Sequence, residues 1–219
     1  VRTLAAHAHF YFDQKAGFRQ GFDVYRMVEG IDVDNKTDKN VTSPQHLALA
    51  EEILGDPGNT KGPFFAWFHF MDPHDRYVFH EGHSQWGRGG RDRYDGEIHF
   101  TDAHVGELLR FIERQPWGAH TAIIVKADHG EAFGEHERTR HGFELWEVLV
   151  QVPLFIKIPG VAPRRIDEPR SQIDLAPTIL DLVGVEAPPS LAGVRLVPEI
   201  RGQIEPPARD VIVDLPRTS

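Results

Sequence analysis

The stretch Thr121-Ala122-Ile123-Ile124-Val125-Lys126-Ala127-Asp128-His129-Gly130-Glu131 carries the strongest structural signal in this sequence. Its apolar run predicts a buried strand, and Asp128 and His129 follow where that strand would end. Open α/β sheets place their chemistry in the crevice beyond the carboxyl ends of the strands. Aspartate and histidine are both metal ligands, but a single aspartate at a turn also caps the backbone. The stretch therefore predicts a site at Asp128 and His129. Metal binding and turn capping are alternative roles for Asp128 at this point.

Hydrophobic patterns elsewhere predict strands that alternate with helices. Residues 2–12 alternate as a half-buried strand would, and the apolar runs at 64–70 and 152–158 are typical of strands buried on both faces. Helices are predicted after the candidate caps Thr42 and Ser43, from Glu97 onward, and from Asp174 to Gly184. This alternation indicates an α/β fold with a covered sheet.

Composition limits the classes of function. A chain of 219 residues can form one domain or a large piece of a bigger one. A net charge of -9 argues against nucleic acid as a partner, because binding a phosphate backbone needs a basic surface. The longest apolar run, Pro63–Met71, is too short to cross a bilayer, so we expect no membrane span. The absence of cysteine excludes disulfides and Cys-based zinc sites and leaves the compartment open.

Five blocks of sequence occur in a distinctive order along the chain. They are Phe18–Tyr25, Phe68–His74, Tyr94–Ile98 with Asp102 and Val105–Gly106, Thr121–Gly142, and Asp174–Gly184. In this order they resemble the sulfatase family, within the alkaline phosphatase superfamily of metal-dependent ester hydrolases. The resemblance implies an alkaline phosphatase-like α/β sandwich, with a mostly parallel central sheet and helices on both faces.

The resemblance also implies a set of site residues. Sulfatases hold one divalent cation between an early pair of aspartates and a later pair, which corresponds here to Asp128 and His129. The resemblance favours Ca²⁺, and Mn²⁺, Zn²⁺ and Mg²⁺ are alternatives for this mixture of carboxylate and imidazole. His74 and His141 correspond to residues that contact the transferred group, and we expect both to be catalytic and substrate-binding. A cation and such groups would stabilise the charge that develops in the transition state.

The family's nucleophile and its early aspartate pair have no counterpart in the sequence. Sulfatases attack with a formylglycine made from the first residue of a Cys/Ser-x-Pro-x-Arg segment, but no serine here begins that pattern. We therefore expect residues 1–219 to be the carboxyl-terminal portion of a catalytic domain, with 185–219 as its Pro/Gly-rich extension. The first strands, the nucleophile and the formylglycine are expected in an upstream part of the same domain, and the chain alone is expected to be inactive.

The predicted function is metal-dependent hydrolysis of a sulfate ester, on a small molecule or a glycan. Many sulfatases carry a lysine near the position of His141, whereas no lysine occurs between Ala127 and Lys157 here. This departure leaves a phosphonate or phosphate ester hydrolase, or a phosphoryl transferase of the same superfamily, as an alternative. A non-catalytic binding module with a sulfatase-like fold is a further alternative.

Overall fold

The computed structural model describes residues 1–12, 17–31, 41–142 and 144–215. The chain forms two compact units, Val1–Ala119 and His120–Ser219. That residues 1–219 make up one partial catalytic domain, with 185–219 as its extension, stays a prediction. Within the described ranges, no helix is long and apolar enough to cross a membrane.

The first unit is built on a parallel sheet. Its elements are β1 (Arg2–His7), β2 (Val24–Met27), α1 (Ser43–Gly55), α2 (Pro57–Thr60), β3 (Phe64–His69) and α3 (Gly90–Glu113). The strand order is β2-β1-β3, and Leu4 lies beside Val24 on one side and Ala66 on the other. The strand predicted at 64–70 is confirmed as β3, and the one predicted at 2–12 is confirmed as far as His7, after which residues 10–12 form a short 3-10 helix. Strand β2 is an additional strand that its short sequence did not predict.

Strand β1 is more deeply buried than its sequence indicated. Leu4, Ala5 and Ala6 are fully buried, and His7 is 1% exposed. Because successive side chains point to opposite faces of a sheet, four buried residues in a row mean that both faces are covered. The expectation of a half-buried strand is wrong, since β1 is central. Strand β3, expected to be buried on both faces, is half-buried along its length because it lies at the edge of the described sheet.

Helix α1 begins at the predicted place but is capped from a distance. Thr42 occupies the N-cap position without a side-chain capping bond. Instead, the carboxylate of Asp72 accepts the backbone N–H groups of Thr42 and Ser43, at 3.0 and 2.7 Å, and the Ser43 hydroxyl at 2.7 Å. A carboxylate at this end satisfies orphan donors and complements the helix dipole. Asp72 thereby fixes the start of α1 to the chain that leaves β3.

Helix α3 is longer than its apolar stripe predicted. It begins at Gly90, seven residues before Glu97, where Asp92 accepts the N–H of Gly89 at 2.9 Å. These first turns are polar and contain glycine, so they carry no amphipathic signal. The buried residues of the helix, Phe100, Leu108 and Ile112 among them, belong to the part that the sequence did predict.

The second unit contains short strands and helices. Its elements are β4 (Ile123–Lys126), β5 (Ala132–Phe133), β6 (Thr139–Arg140), α4 (Glu147–Val150), β7 (Leu154–Lys157), α5 (Leu175–Leu182) and α6 (Val197–Ile200). Strands β4 and β7 confirm the two apolar runs, and they pair antiparallel with Val125 opposite Phe155. Strands β5 and β6 form a separate antiparallel pair between Asp128 and His141.

A buried aspartate directly before α5 binds residues that follow this helix in the chain. Asp174 is fully buried, and its carboxylate accepts the N–H groups of Ser171 and Val194, each at 2.9 Å, and contacts Arg209. Helix α5 ends at Leu182, two residues before the predicted Gly184, whose φ of 70° suits a residue that follows a helix. The chain between α5 and Arg209 is therefore anchored by charge and hydrogen bonds despite its many prolines.

A buried ion pair reinforces the same region. The guanidinium of Arg170 binds both carboxylate oxygens of Glu199 in α6, at 2.7 and 2.6 Å. Both side chains are less than a tenth exposed. This two-pronged geometry is the one in which arginine binds carboxylates most strongly.

Candidate functional site

Asp128 and His129 follow the end of strand β4, as the sequence predicted. The contacts of Gly130 explain why a glycine comes next. Gly130 donates its N–H to the carbonyl of Leu149 at 2.8 Å. A Cβ on Gly130 would lie 2.0 Å from the carbonyl oxygen of Val148. The glycine is thus required because the site segment packs directly on the backbone of α4.

The side chains of Asp128 and His129 converge. Asp128 Oδ2 lies 3.8 Å from His129 Nε2, and both side chains are accessible, at 63% and 43% exposure. His129 Nδ1 lies 2.9 Å from the carbonyl oxygen of Gly130. Since a carbonyl only accepts, Nδ1 carries the hydrogen, and the lone pair of the neutral ring is at Nε2, on the side of the carboxylate. A protein carbonyl fixes metal-binding histidines in this way, so the two donors fit a shared cation.

His141 is held against this pair by a buried carboxylate. Its Nδ1 lies 3.1 Å from Oε2 of Glu131, and the Glu131 side chain is 6% exposed while His141 is 30% exposed. The rings of His141 and His129 have centroids 4.0 Å apart and planes inclined by 31°. Because a carboxylate accepts, Nδ1 of His141 donates, which assigns the lone pair of the neutral ring to Nε2.

Two residues of this site were not predicted. The sequence gives Glu131 no role, yet its carboxylate orients His141, ten positions further along the chain. Gln172 donates its amide N–H to the carbonyl of Asp128 at 2.9 Å and accepts a hydrogen bond from the Lys126 ammonium at 2.7 Å. Burial lowers the pKa of Lys126, and the charge of Asp128 opposes that shift. Nothing in the spacing of Glu131 or Gln172 indicates these contacts, which depend on how the loops fold.

His74 lies in the first unit, after β3 and the sequence Asp72-Pro73. Its ring is half-buried, and Nδ1 is 3.1 Å from the carbonyl oxygen of Asp75, which again makes Nδ1 the donor. The His9 ring lies 6.2 Å away, centroid to centroid. Of the four predicted site residues, the second unit brings together Asp128, His129 and His141, and the first unit carries His74.

The described residues contain no cluster of three or more histidine, aspartate or glutamate side chains that could hold a metal ion. The pair Asp128 and His129 supplies two donors. The family places further ligands in an early aspartate pair that this sequence lacks, so the two donors fit one half of such a site.

Comparison with known proteins identifies the family. A family model described as Sulfatase matches residues 1–185. The chain belongs to the sulfatase family. Sulfatase relatives include a choline-sulfatase of Rhizobium meliloti, 36% identical over 118 residues, and a delta 4,5-hexuronate-2-O-sulfatase of Bacteroides thetaiotaomicron, 27% identical over 122 residues. Each match covers 52% of this chain but only 23% and 25% of those relatives, so the chain spans about a quarter of their length.

A solved structure of the same fold supports the architecture. A protein in the alkaline phosphatase superfamily from Vibrio parahaemolyticus has a TM-score of 0.69 and 23% identity to this sulfatase chain. The likeness covers 90% of the chain and 47% of that protein. The predicted α/β fold of the alkaline phosphatase superfamily is confirmed, and family membership is consistent with a divalent metal.

Proposed function

We propose that the full-length protein containing this chain is a sulfuric ester hydrolase that acts on sulfate esters of small molecules or glycans. The match of the Sulfatase family model to residues 1–185 carries this proposal. The arrangement of Asp128, His129 and His141 supports it, since three polar groups of the kind that binds a cation and an anion converge beyond the end of β4.

In this proposal Asp128 and His129 hold one half of a divalent cation site. Ca²⁺ is the cation proposed, with Mn²⁺, Zn²⁺ and Mg²⁺ as alternatives. Such an ion would supply charge to bind an anionic ester and to polarise its oxygen. The carbonyl of Gly130 keeps the lone pair of His129 aimed at the site, and Gln172 restrains the backbone of Asp128.

His141 and His74 are proposed to bind and act on the sulfate group. Glu131 keeps Nδ1 of His141 protonated, so Nε2 can accept a proton or, when protonated, donate to an anionic oxygen. The nucleophile is proposed to be a formylglycine in a part of the protein outside this sequence.

Aryl ester kinetics test this function. The full-length protein should hydrolyse 4-nitrophenyl sulfate, and His141→Ala or His74→Ala should each reduce kcat by on the order of 10²-fold. His120→Ala is a matched control, because His120 is an exposed histidine of the same chain. Wild-type rates in both site variants would contradict the assigned roles.

The choice of ester separates the alternative reactions. The absence of lysine between Ala127 and Lys157 favours testing 4-nitrophenyl phosphate and a phenylphosphonate monoester beside the sulfate. A higher kcat/KM for either phosphorus ester would replace the sulfatase proposal with a phosphoryl reaction. Binding of sulfated glycans without any turnover would support the non-catalytic module.

Metal analysis tests the cation site independently of turnover. Full-length protein purified without chelator should contain about one divalent ion per chain by elemental analysis, and Asp128→Asn should lose most of it. Asp167→Asn, at an exposed aspartate with 73% side-chain exposure, serves as the control. Equal metal content in all three proteins would contradict the role of Asp128.

A further inference from the structure

A buried carboxylate lies opposite the chain that carries His74. Glu97 is on helix α3 and is 4% exposed, although most of the neighbouring helical residues reach solvent. Glutamate is rarely buried unless it is paired or hydrogen-bonded, so its contacts indicate what the position is for. We call residues 72–80, which follow β3, the exit segment.

The carboxylate of Glu97 faces the exit segment. Its Oε1 accepts the backbone N–H of Val78 at 2.8 Å. It also accepts a backbone hydrogen bond from His74. The ring of His80 lies with Nε2 3.7 Å from the same carboxylate, and that side chain is 7% exposed. One carboxylate therefore hydrogen-bonds two residues of the exit segment and lies close to a third.

His80 is itself held in place. Its ring stacks on Phe100, one helical turn after Glu97, with centroids 3.7 Å apart and planes inclined by 7°. The other end of the exit segment is fixed by Asp72 at the start of α1. The part between them, which contains His74, is connected to α3 by the Glu97 carboxylate and by the ring of Tyr77, whose centroid lies 5.2 Å from that of Tyr94.

We propose that Glu97 is a positioning residue for His74, because its ionised carboxylate binds the backbone of the exit segment and so fixes where the His74 ring lies. This inference rests on the role of His74 in the proposed function. It adds a dependence on the charge of Glu97 that neither the family nor the motif indicates.

Opposing effects determine the pKa of Glu97. Burial, with a smaller contribution from the carboxylates of Asp72 and Asp75, raises the pKa of Glu97 to about 7, and the hydrogen bonds from Val78 and His74 act against this rise. His80, the imidazole facing it, has a lowered pKa through its own burial. Hydrogen bonds to an ionised carboxylate are stronger than those to its neutral form. The ionised form should therefore hold the His74 backbone most closely, while any opening that exposes Glu97 to water becomes easier as the pH rises, since its pKa then falls towards 4.5.

Hydrogen–deuterium exchange of the full-length protein tests this without any substitution. The protection factor of the Val78 amide should fall about tenfold between pH 6 and pH 8, because opening exposes Glu97 to water and lets its pKa fall towards 4.5. In Glu97→Gln, which keeps the shape and one acceptor oxygen but cannot ionise, the protection factor should be independent of pH. Glu107→Gln is the control, because Glu107 is an exposed glutamate of the same helix.

Kinetics test the connection to His74. In an active enzyme, Glu97→Gln should reduce kcat about tenfold at pH 8, remove the acidic limb of the kcat profile near pH 7, and change KM little. Protection of Val78 that does not vary with pH in the wild type, or that varies equally in Glu97→Gln, would overturn the proposal. A pH-dependent protection with a kcat profile unchanged by Glu97→Gln would overturn the positioning of His74. A pH-dependent protection in a protein that hydrolyses no ester would refute the proposed function while leaving the binding of the exit segment intact.

Discussion

The buried side chain of His46 should make the stability of the first unit depend on pH. Substituting His46 should remove this dependence. Its side chain is fully buried in α1, packed on Phe70 with ring centroids 4.4 Å apart, and neither ring nitrogen has a hydrogen-bond partner among the described residues. Burial, with smaller contributions from the nearby imidazoles of His69 and His7, lowers the pKa of His46 from 6.5 to about 3. The folded unit therefore keeps His46 neutral in the range where an unfolded chain protonates it.

The sign and size follow from linkage. The unfolded chain gains a proton below pH 6.5, and the folded chain does not until about pH 3, so the stability contributed by neutral His46 is lost as the pH falls through 6.5. Between pH 7 and pH 5 this loss is about 2 kcal/mol, since each pH unit below 6.5 costs about 1.4 kcal/mol.

Glu97 acts in the opposite direction over the same range. Its pKa is raised from 4.5 to about 7, so the folded unit binds a proton that the unfolded chain has lost, and stability rises as the pH falls from 7 to 5. This gain is also about 2 kcal/mol. Between pH 7 and pH 5, these two groups should consequently change the stability of the wild-type unit little, because their contributions cancel.

Substitution separates the two contributions. The unit carrying His46→Leu should be about 2 kcal/mol more stable at pH 5 than at pH 7. The unit carrying Glu97→Gln should be about 2 kcal/mol less stable at pH 5 than at pH 7. The free energy of opening is measured from exchange of the Ala5 and Ala6 amides in β1 of the full-length protein at pH 5, 6 and 7. His120→Leu, at an exposed histidine, is the control. A constant difference between wild type and His46→Leu across this range would refute the reasoning.

Three further changes have expected outcomes. Arg170→Met should destabilise the second unit by about 3–5 kcal/mol because it leaves the buried carboxylate of Glu199 without its partner, whereas Arg165→Met at an exposed pair should change thermal stability by less than about 1 kcal/mol. Gly130→Ala should lower the midpoint of thermal unfolding and reduce ester turnover, because its methyl group would collide with the backbone of α4. The 219-residue chain expressed alone should neither hydrolyse 4-nitrophenyl sulfate nor bind Ca²⁺ tightly in calorimetric titration; robust turnover would show that the nucleophile lies within it.

The sequence predicted elements where hydrophobic periodicity is strong. Strands β1, β3, β4 and β7 and helices α1 and α5 follow from apolar runs and stripes. Strand β2 was missed because four residues, of which one is buried, carry little hydrophobic pattern. The antiparallel pairing of β4 with β7 was not predictable, since strand direction depends on the connections between elements and not on side-chain periodicity.

The candidate site was predictable only in its ligand types. Asp128, His129 and His141 were identified by their chemistry and their order along the chain. Their orientation depends on Glu131 and Gln172, and the predicted cap of α1 proved to be Asp72, 30 positions away from Thr42. Long-range hydrogen bonds of this kind have no periodic signature, so a single sequence cannot indicate them.

The bond between Asp72 and the start of α1 has a consequence for engineering this protein. This bond holds together the two ends of the segment 42–72. Within that segment, the carbonyl of Pro63 accepts the backbone N–H of Arg2. The turn at Gly62 is exposed, and an added Cβ there would meet no atom within 4 Å. Because lengthening a surface loop costs little free energy when its ends are already fixed, Gly62 is a suitable position to insert an affinity tag or a fluorophore-binding peptide.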